Sequence, residues 1–345
     1  MPPSVVLVTG VSRFLGGHLA ARLAQNPDID RVLGVDTVPP ARDLARRLGR
    51  AEFIRADIRN PLIAKVISGA EVDTVVHASL SPNPAHAGGR VTMMEMNVIG
   101  TMQLLAACQK ADSVRRLIVK STTAVYGASA RDPAMFTEEM EPRSIPRGGY
   151  AKDAVEIEGY VRGFSRRRRD VTVTQLRFTN FIGPRIETVM TRYFALPLVP
   201  TVLGYDARVQ LLHEEDALAV LQRAVYHELP GVFNVGADGV LLLSQAIRRA
   251  GRVPLPVPSF GVGAVSRLFR GAGLVDFSPE QLRFLNFGRV VDTTRLRTEF
   301  GFTPRWTTRQ AFDDFVNGRG LRPLINPQRV NAVERGLLDG LARLR

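Results

Sequence analysis

The sequence predicts an α/β fold, with a doubly wound parallel sheet and a smaller C-terminal lobe. In the first half of the 345 residues, short β-branched runs alternate with longer helical patterns, as in repeated strand–helix–strand units. Apolar residues make up 45% of the chain, which is enough for a large core. A glycine-rich turn joins the first strand pattern to the first helical pattern, and such turns bind phosphates in parallel α/β sheets.

Six strands and three helices follow from these patterns. The strands are expected at residues 5–9, 32–35, 53–56, 74–77, 116–120 and 171–176, and the helices at 15–25, 93–110 and 151–166. Beyond about residue 180, prolines separate shorter elements, which indicates a second lobe over the carboxyl edge of the sheet. We therefore expect a sheet domain at 1–180, a substrate-binding lobe at 181–318 with the chain crossing between the two, and a basic tail at 319–345.

The composition narrows the classes of function. The net charge of +13 comes from 46 basic residues, of which only four are lysine. The arginines are scattered and no nucleic-acid motif accompanies them, so we expect solvated charged faces and no nucleic-acid partner; attraction of an anionic substrate is the alternative. The single cysteine, Cys108, excludes a disulfide framework, and we expect no metal site. No apolar run approaches the roughly 18 residues of a membrane span and no signal-peptide pattern opens the chain, so we expect a cytoplasmic protein.

The first strand runs into a loop at residues 9–17 that has the pattern of a dinucleotide site. Gly10 allows the tight turn and Gly16 allows close packing of helix on strand. Asp36 ends the second strand, where a carboxylate accepts hydrogen bonds from ribose hydroxyls and repels a 2′-phosphate. NAD is therefore favoured over NADP in a Rossmann-type domain at 1–180. The other loop residues expected at the cofactor are Ser12, Arg13, Phe14 and Leu15.

With this loop the chain resembles the short-chain dehydrogenase/reductase superfamily, in its extended branch of NAD-dependent epimerases and dehydratases. That branch carries Thr-Gly-x-x-Gly-x-x-Gly, which the chain matches at Thr9, Gly10 and Gly16, with Arg13 in place of the middle glycine. Arg13 also fits the Ser-Arg pair of NADP-using members of the shorter branch, or lies along the pyrophosphate. We give Asp36 more weight, because it lies where the two cofactors differ.

The resemblance continues to about residue 318 through further motifs in order. It implies that Asp57 and Ile58 lie at the adenine and that His77, Ala78 and Ser79 lie along the cofactor. Asn97 belongs to a helix motif that is usually structural, and it is also expected at the cofactor. The remaining matches are at 121–127, 176–184, 210–216, 231–236 and 300–304.

The family's chemistry is hydride transfer at nicotinamide, with a tyrosine that exchanges the substrate's proton. A lysine four residues later lowers the pKa of that tyrosine, and a strand-5 hydroxyl, matched here by Thr122, completes the hydrogen bonding. The Tyr-x-x-x-Lys motif is absent. If Lys152 is the family lysine, Gly148 takes the tyrosine position; if Tyr150 is the family tyrosine, Ala154 takes the lysine position.

We align the motif on Lys152, because the spacing from Lys152 to Glu156 follows the family's Lys-x-x-x-Glu helix. Lys152 is then expected to hold the nicotinamide ribose. Residues two apart on a helix do not share a face, so Tyr150 reaches the catalytic position only where the backbone before Lys152 is not helical. Gly148 and Gly149 permit such a backbone.

The substrate residues are less regular than the family pattern. Nucleotide-sugar members place an arginine four residues before the histidine that here is His213; Val209 stands there, and Arg208 is one position off. Asn180 is the candidate for the diphosphate or sugar, and Arg208 is the candidate for the missing charge, with Arg185 and Arg192 as alternatives. His213 itself is expected to be structural.

These residues favour an NAD-dependent nucleotide-sugar epimerase similar to UDP-glucose 4-epimerase. A dehydratase is disfavoured, because Thr123 and Ala124 stand where the family's dehydratases carry Asp-Glu. Two alternatives stay open: an NAD(P)-dependent reductase or dehydrogenase of another alcohol, and a catalytically degenerate NAD-binding regulatory protein. The resemblance also implies a homodimer through the helices at 93–110 and 151–166.

Overall fold

The structure is a computed structural model and describes residues 3–81, 89–142, 149–258 and 279–323. Its strands are β1 (Val5–Thr9), β2 (Arg31–Asp36), β3 (Glu52–Arg55), β4 (Thr74–His77), β5 (Arg116–Thr122), β6 (Thr172–Phe178), β7 (Asn180–Ile182), β8 (Leu198–Val202), β9 (Arg208–Val209), β10 (Leu211–His213), β11 (Gly231–Val235), β12 (Leu241–Leu242), β13 (Val253–Val257) and β14 (Gly288–Arg289).

A π-helical turn (Glu95–Ile99) joins α4 to α5 in one continuous helix, and a short 3₁₀ turn (Thr123–Tyr126) follows β5. The α-helices are α1 (Phe14–Ala24), α2 (Arg42–Arg47), α3 (Ile63–Gly69), α4 (Arg90–Met94), α5 (Gly100–Lys110), α6 (Gly149–Arg167), α7 (Val189–Ala195), α8 (Glu214–Tyr226), α9 (Leu243–Arg249), α10 (Pro279–Phe287), α11 (Thr294–Thr298) and α12 (Thr308–Gly318).

Seven strands form one parallel sheet in the order β11-β6-β5-β4-β1-β2-β3. The chain leaves β1 towards β2 on one side and later returns to β4 on the other, so the strand order reverses between β1 and β4. In parallel α/β sheets, ligands bind in the crevice that opens at such a reversal, beyond the carboxyl ends of the strands. The predicted doubly wound α/β fold is confirmed.

The sheet domain is not continuous in sequence. β11 comes from beyond residue 180 and pairs with β6 in the register Gly231↔Thr174, and α8 packs beside α1 on one face of the sheet. The predicted division at residue 180 therefore does not separate the sheet from the rest of the chain. The other segments beyond residue 180 build the smaller lobe, in which β9 lies between β12 and β14.

Both faces of the sheet are buried, as expected for a parallel sheet covered by helices on each side. Along β1, Val8 faces the core under α1 and α8, and Leu7 faces the core under α3, α5 and α6. A third core, centred on Phe194, Phe312 and Phe315, fills the smaller lobe. These cores hold the carboxyl ends of β1, β4 and β5 in fixed positions.

The helix formed by α4, the π turn and α5 (Arg90–Lys110) has a mean hydropathy of 1.2 over its most apolar window. It is the one helix among residues 3–81, 89–142, 149–258 and 279–323 that has the length and composition to cross a membrane. Half of that window is buried inside the protein, and core helices of globular proteins have the same composition.

Candidate active site and cofactor crevice

The glycine loop after β1 has the close backbone contacts that its sequence predicts. Gly10 has φ +75°, and its N–H donates to the Val35 carbonyl at 2.8 Å. A Cβ on Gly10 would lie 2.8 Å from the Ser79 Cα, and a Cβ on Gly16 would overlap the Gly10 carbonyl. Both positions require glycine, because the loop is pressed against the end of β4 and the start of α1.

Asp36 lies beside this loop at the end of β2. Its carboxylate accepts hydrogen bonds from the Ser12 N–H at 3.1 Å and the Thr37 N–H at 2.8 Å. The Ser12 hydroxyl donates to the Val38 carbonyl. The half-buried carboxylate is therefore fixed at the position where a dinucleotide presents its adenosine ribose.

Arg13 points away from Asp36. Its guanidinium donates to the Ser81 Oγ at 3.1 Å, just beyond the end of β4. A role at a 2′-phosphate needs a cation at the end of β2, so this orientation supports the alternative in which Arg13 lies along the pyrophosphate. Leu15 is buried in the core, and Phe14 stacks on His18 with ring centroids 4.2 Å apart.

Asp57 and Ile58 follow β3, and both already have partners within the protein. Asp57 accepts from the Arg59 N–H at 2.9 Å and pairs with its guanidinium at 2.7 Å, and this pairing holds the pKa of Asp57 below its usual value. Ile58 is buried, and a Cβ on Gly100 would lie 2.8 Å from its Cδ1. Their expected contact with adenine stays a prediction.

The side chain of His77 is wholly buried, and its expected place along the cofactor stays a prediction. Its ring lies between the hydroxyls of Thr9, at 3.0 Å, and Thr101, at 2.8 Å. Burial lowers the pKa of His77 to about 3, so the ring is neutral. His77 ties β1 and β4 to α5, and Ala78 donates its N–H to Thr9.

Asn97 makes structural hydrogen bonds in this fold, and its expected contact with the cofactor stays a prediction. It lies in the π turn, is 2% exposed, and exchanges two hydrogen bonds of 3.0 Å with the backbone of Ser81. π turns recur at functional sites. Here the turn fixes the strand end on which Arg13 rests.

Tyr150 lies near Thr122, the strand-5 hydroxyl. α6 begins at Gly149, whose φ is +63°. Tyr150 follows in the first turn of the helix, and the Thr122 hydroxyl is close enough to lower the pKa of Tyr150. Gly148 lies outside the described residues. The two hydroxyl groups predicted to share the proton chemistry are therefore together.

Lys152 is not with them. Lys152 is exposed, on a different face of α6 from Tyr150, and its expected contact with the nicotinamide ribose stays a prediction. Ala154 lies one turn beyond Tyr150 on the same face and is 1% exposed, packed with Val125 and Tyr126. If Tyr150 takes the position of the family tyrosine, this buried alanine takes the position of the lysine.

The surroundings of Tyr150 raise its pKa above the usual value. Burial is the main cause, the negative charge of Asp153 adds to it, and the nearby Thr122 hydroxyl opposes it. Asp153 is buried and pairs with Arg90 at 2.6 Å. Without bound ligand the Tyr150 proton is therefore held firmly, and no lysine on α6 counteracts this.

A buried ion pair fixes α6 on the sheet. Glu158, two turns beyond Tyr150, pairs with Arg177 of β6 at 2.7 Å and accepts from the Ser121 hydroxyl at 2.6 Å. Arg177 also donates to the Tyr126 hydroxyl at 2.7 Å. This network holds the start of α6 against the end of β5.

Lys120 was missed by the sequence reasoning. It lies on β5, two residues before Thr122, is 7% exposed, and donates from Nζ to the Leu80 carbonyl at 2.7 Å. Burial, reinforced by the charge of Arg13, lowers the pKa of Lys120 to about 7. A lysine at the end of the apolar run Leu117–Val119 was the available signal, because few lysines are buried.

The predicted substrate residues lie at the smaller lobe. Arg208 is exposed and lines a cavity of about 200 Å³ together with Arg289, Asp132 and Phe136. Arg289 donates to the Gly127 carbonyl at 2.7 Å, so the cavity borders the turn that follows Thr122. Asn180 is half-buried at the start of β7 and is not among the residues that line this cavity.

The alternative arginines are held by carboxylates. Arg185 pairs with Glu214 at 2.8 Å and also with Glu215, and Arg192 pairs with Glu187 at 3.4 Å. His213 stacks on Trp306 and is hydrogen-bonded to Asp314, in line with the structural role expected for it.

The glycine cradle, Asp36 and the two cations near β4 fit a dinucleotide. Glycine at positions 10 and 16 leaves room that a Cβ would fill, and the loop opens the 11-residue helix α1 towards the crevice. Among the described residues, no group of three or more His, Cys, Asp or Glu side chains is arranged to hold a metal ion.

Comparison with known proteins agrees with this site. The chain is 57% identical over 341 residues to an uncharacterized protein of Mycobacterium tuberculosis (strain ATCC 25618 / H37Rv), covering 99% of this chain and 90% of that protein. It is 26% identical over 250 residues to an Arabidopsis thaliana trifunctional UDP-glucose 4,6-dehydratase, epimerase and reductase, covering 68% of this chain and 37% of that protein.

Two solved structures show the same fold. One is dTDP-glucose 4,6-dehydratase from Bacillus anthracis in complex with NAD, with a TM-score of 0.71, 18% identity, and coverage of 92% of this chain and 96% of that one. The other is UDP-glucose 4-epimerase from Thermotoga maritima with UDP-glucose, with a TM-score of 0.70, 19% identity, and coverage of 91% and 98%.

The model of the NAD dependent epimerase/dehydratase family matches residues 6–236. This range includes the glycine loop, the Thr122–Tyr150 pair and β11, the last strand of the sheet. The predicted resemblance is confirmed, and the family's description agrees with the prediction of NAD as the cofactor. The chain belongs to the NAD dependent epimerase/dehydratase family.

Proposed function

We propose that this protein is an NAD-dependent enzyme that epimerises a nucleotide sugar, in the manner of UDP-glucose 4-epimerase. The observation that carries the proposal is the proximity of Tyr150 to the Thr122 hydroxyl, which lowers the pKa of Tyr150. A glycine loop that fits a dinucleotide follows β1 of the same sheet, and a cavity lined by Arg208 and Arg289 borders the turn after Thr122. Solved relatives of the same fold hold UDP-glucose, or UDP-glucuronic acid with NAD.

NAD would be held by the loop from Gly10 to Gly16, with Asp36 on the adenosine ribose. When bound, it accepts and returns a hydride at the reacting carbon. The protein's own part is to move the proton: Tyr150 exchanges it with the substrate hydroxyl, and Thr122 orients both by hydrogen bonding. Since burial keeps the proton on Tyr150, positive charge entering with the ligands is needed to make it a base.

Arg208 and Arg289 would hold the diphosphate of the nucleotide sugar. Arg208 is exposed, and no ion pair holds it among the described residues. Arg289 donates to the Gly127 carbonyl, and its guanidinium lies 5.4 Å from the centroid of the Phe284 ring. These two contacts fix the direction of the side chain. Arginine binds phosphate oxygens through two parallel hydrogen bonds, so two arginines at one cavity suit a diphosphate.

A second candidate is favoured by one observation. Ala154 at the lysine position, together with the raised pKa of Tyr150, suits a protein that binds NAD without turnover. Such a protein would act as a cofactor-sensing regulatory partner. A reductase or dehydrogenase of another alcohol stays the third possibility and would consume or produce NADH.

The test is conversion of UDP-galactose, followed by NMR of the anomeric proton, with and without added NAD. Tyr150→Phe is the active-site variant, and Tyr160→Phe is its control, since Tyr160 lies on the same helix and only reaches Glu156 at 3.0 Å. Conversion that is lost in Tyr150→Phe and retained in Tyr160→Phe supports the proposal. Net NADH formation supports the dehydrogenase, and NAD binding without conversion of any sugar or alcohol supports the regulatory protein.

The homodimer and the cytoplasmic location stay predictions. Three exposed apolar residues, Val91, Ile99 and Met102, lie on one side of the continuous helix Arg90–Lys110. An exposed apolar stripe of this kind suits packing against helices of a second copy of the chain. Sedimentation of wild type against Met102→Glu tests this stripe.

A further inference from the structure

Two cations meet at the end of β4 and are held there by consecutive residues. Lys120 donates to the Leu80 carbonyl at 2.7 Å, and Arg13 donates to the Ser81 hydroxyl at 3.1 Å. They reach this strand end from different elements, β5 and the glycine loop. Their charges act on each other, because Arg13 contributes to the low pKa of Lys120.

No carboxylate neutralises this pair among the described residues. Two acidic groups of the crevice have other partners: Asp36 accepts from the backbone of the loop, and Asp153 pairs with Arg90. A buried ammonium with a single carbonyl partner is costly, and like charges close by increase the cost. Such an arrangement is expected where an anion completes it.

The position of the pair identifies the anion's chemistry. Ser79, Leu80 and Ser81 follow β4, and the Cβ position of Gly10 lies against Ser79, so the cations border the glycine loop. The N–H groups of that loop and the start of α1 add positive potential at the same place. A guanidinium, an amine that an entering anion would protonate fully, and a helix terminus suit a diphosphate better than a neutral ribose.

We propose that Lys120 and Arg13 form a cationic subsite for the diphosphate of the bound dinucleotide. This inference rests on the cofactor part of the proposed function, and it does not depend on which substrate is turned over. Lys120 is a cofactor-binding residue in this view, and it has no contact with the proton-exchanging hydroxyls.

The subsite has opposite effects on stability and on binding. In the cofactor-free protein, replacing Lys120 by methionine removes an uncompensated buried charge at similar side-chain length. The protein should then unfold at the same or a higher temperature. Cofactor affinity should fall by about tenfold to a hundredfold, the range of one charge-assisted hydrogen bond. If Lys120 were merely structural, its replacement would lower both the unfolding temperature and the cofactor affinity.

The experiment measures binding of NAD, ADP-ribose and adenosine to the full chain by titration calorimetry, with thermal unfolding beside it. Lys120→Met should lower the affinity for NAD and for ADP-ribose, which carry the diphosphate, and leave the affinity for adenosine unchanged. Lys65→Met is the control, because Lys65 is exposed on α3. An equal loss of affinity for all three ligands, or no loss for any of them, overturns the subsite.

Arg13→Gln keeps the test decisive if Lys120→Met does not fold, since Arg13 is half-exposed on the loop. This variant should also bind ADP-ribose more weakly and bind adenosine with unchanged affinity. Unchanged affinity for ADP-ribose, or an equal loss for adenosine, overturns the subsite. Wild-type protein that binds no NAD would overturn the proposed function as well. Wild-type NAD binding with unaltered affinity in both variants would overturn the subsite alone.

Discussion

Tyr150 lies near Thr122, whose hydroxyl lowers the pKa of Tyr150, and Lys152, the one lysine of α6, is exposed on a different face of the helix. Family members of this kind pair a tyrosine with a lysine one turn later, and here that position is the buried Ala154. The hydroxyl pair is thus assembled without the group that would lower the pKa of the tyrosine. Its reactivity depends on charges brought by ligands and by other elements.

Restoring the lysine should lower the pH at which the enzyme works. Ala154→Lys places an ammonium one turn from Tyr150, and a cation close to a phenol favours the phenolate. We expect the ascending, acidic limb of the rate–pH profile, which reports the ionisation of Tyr150, to move to lower pH by about one unit or more. The thermal midpoint should fall, because Ala154 is packed in an apolar cluster.

Gly159→Lys is the control for this variant. It adds the same charge on α6 at a position with open space around its Cβ. The rate–pH profile should not change. If the rate–pH profile is also unchanged in Ala154→Lys, Tyr150 does not take part in the rate-limiting proton transfer.

Asp36 should decide between the two cofactors. Asp36→Ser removes the carboxylate at the end of β2, so NADP affinity should rise relative to NAD by about tenfold or more. The measurement is the ratio of the two dissociation constants. Asp43→Ser, on the exposed helix α2, should leave the ratio unchanged. An unchanged ratio in Asp36→Ser would mean that Asp36 only supports the Ser12 loop.

The pair of Glu158 and Arg177 should stabilise the whole sheet domain. Glu158→Gln leaves a buried guanidinium without its counter-charge, and the loss of one partner of such a pair costs about 3–5 kcal/mol. Urea unfolding of the cofactor-free protein measures this. Glu156→Gln, exposed two residues earlier, should change the free energy of unfolding by about 0.5 kcal/mol at most. Similar losses in both variants would contradict a special role for the buried pair.

Lys120 should make the stability of the cofactor-free protein rise with pH between about 7 and 10. Its pKa is about 7 in the fold and about 10.4 in the unfolded chain, so the unfolded state binds more protons in this window. The groups that face it are the guanidinium of Arg13 and the ring of His77, which is neutral because its pKa is about 3. Lys120→Met should flatten the curve, and Lys65→Met should not. An equal slope in both variants would assign the rise to other groups.

The sheet was predictable and the start of α6 was not. β1 and β4 lie where the β-branched runs placed them, because strands buried on both faces leave a local apolar signal. The register of α6 depends on the φ of Gly149, which no motif reveals. The spacing from Lys152 to Glu156 resembled the family motif, yet both residues are exposed.

The cofactor site was partly predictable for a similar reason. Gly10, Gly16 and Asp36 are constrained by local geometry, so their pattern is visible in the sequence. Lys120 and Arg13 meet only after β5 is placed beside β4, and nothing in their sequence spacing shows it. The expectation for His77 came from its whole segment, whereas alternate side chains of a strand point to opposite faces, and its own side chain is buried.

The discontinuous sheet sets the order in which the protein can be completed on the ribosome. β6 emerges with a free edge and stays unpaired until β11 follows, after the smaller lobe's first strands and α8. At about 5–20 residues per second, that interval is several seconds. During it Arg177 lies at an open strand edge, and Asn234, the partner of the Tyr126 hydroxyl, has not been made. The nascent sheet is therefore exposed to edge pairing with other chains, and chaperone binding would be most valuable while this interval lasts.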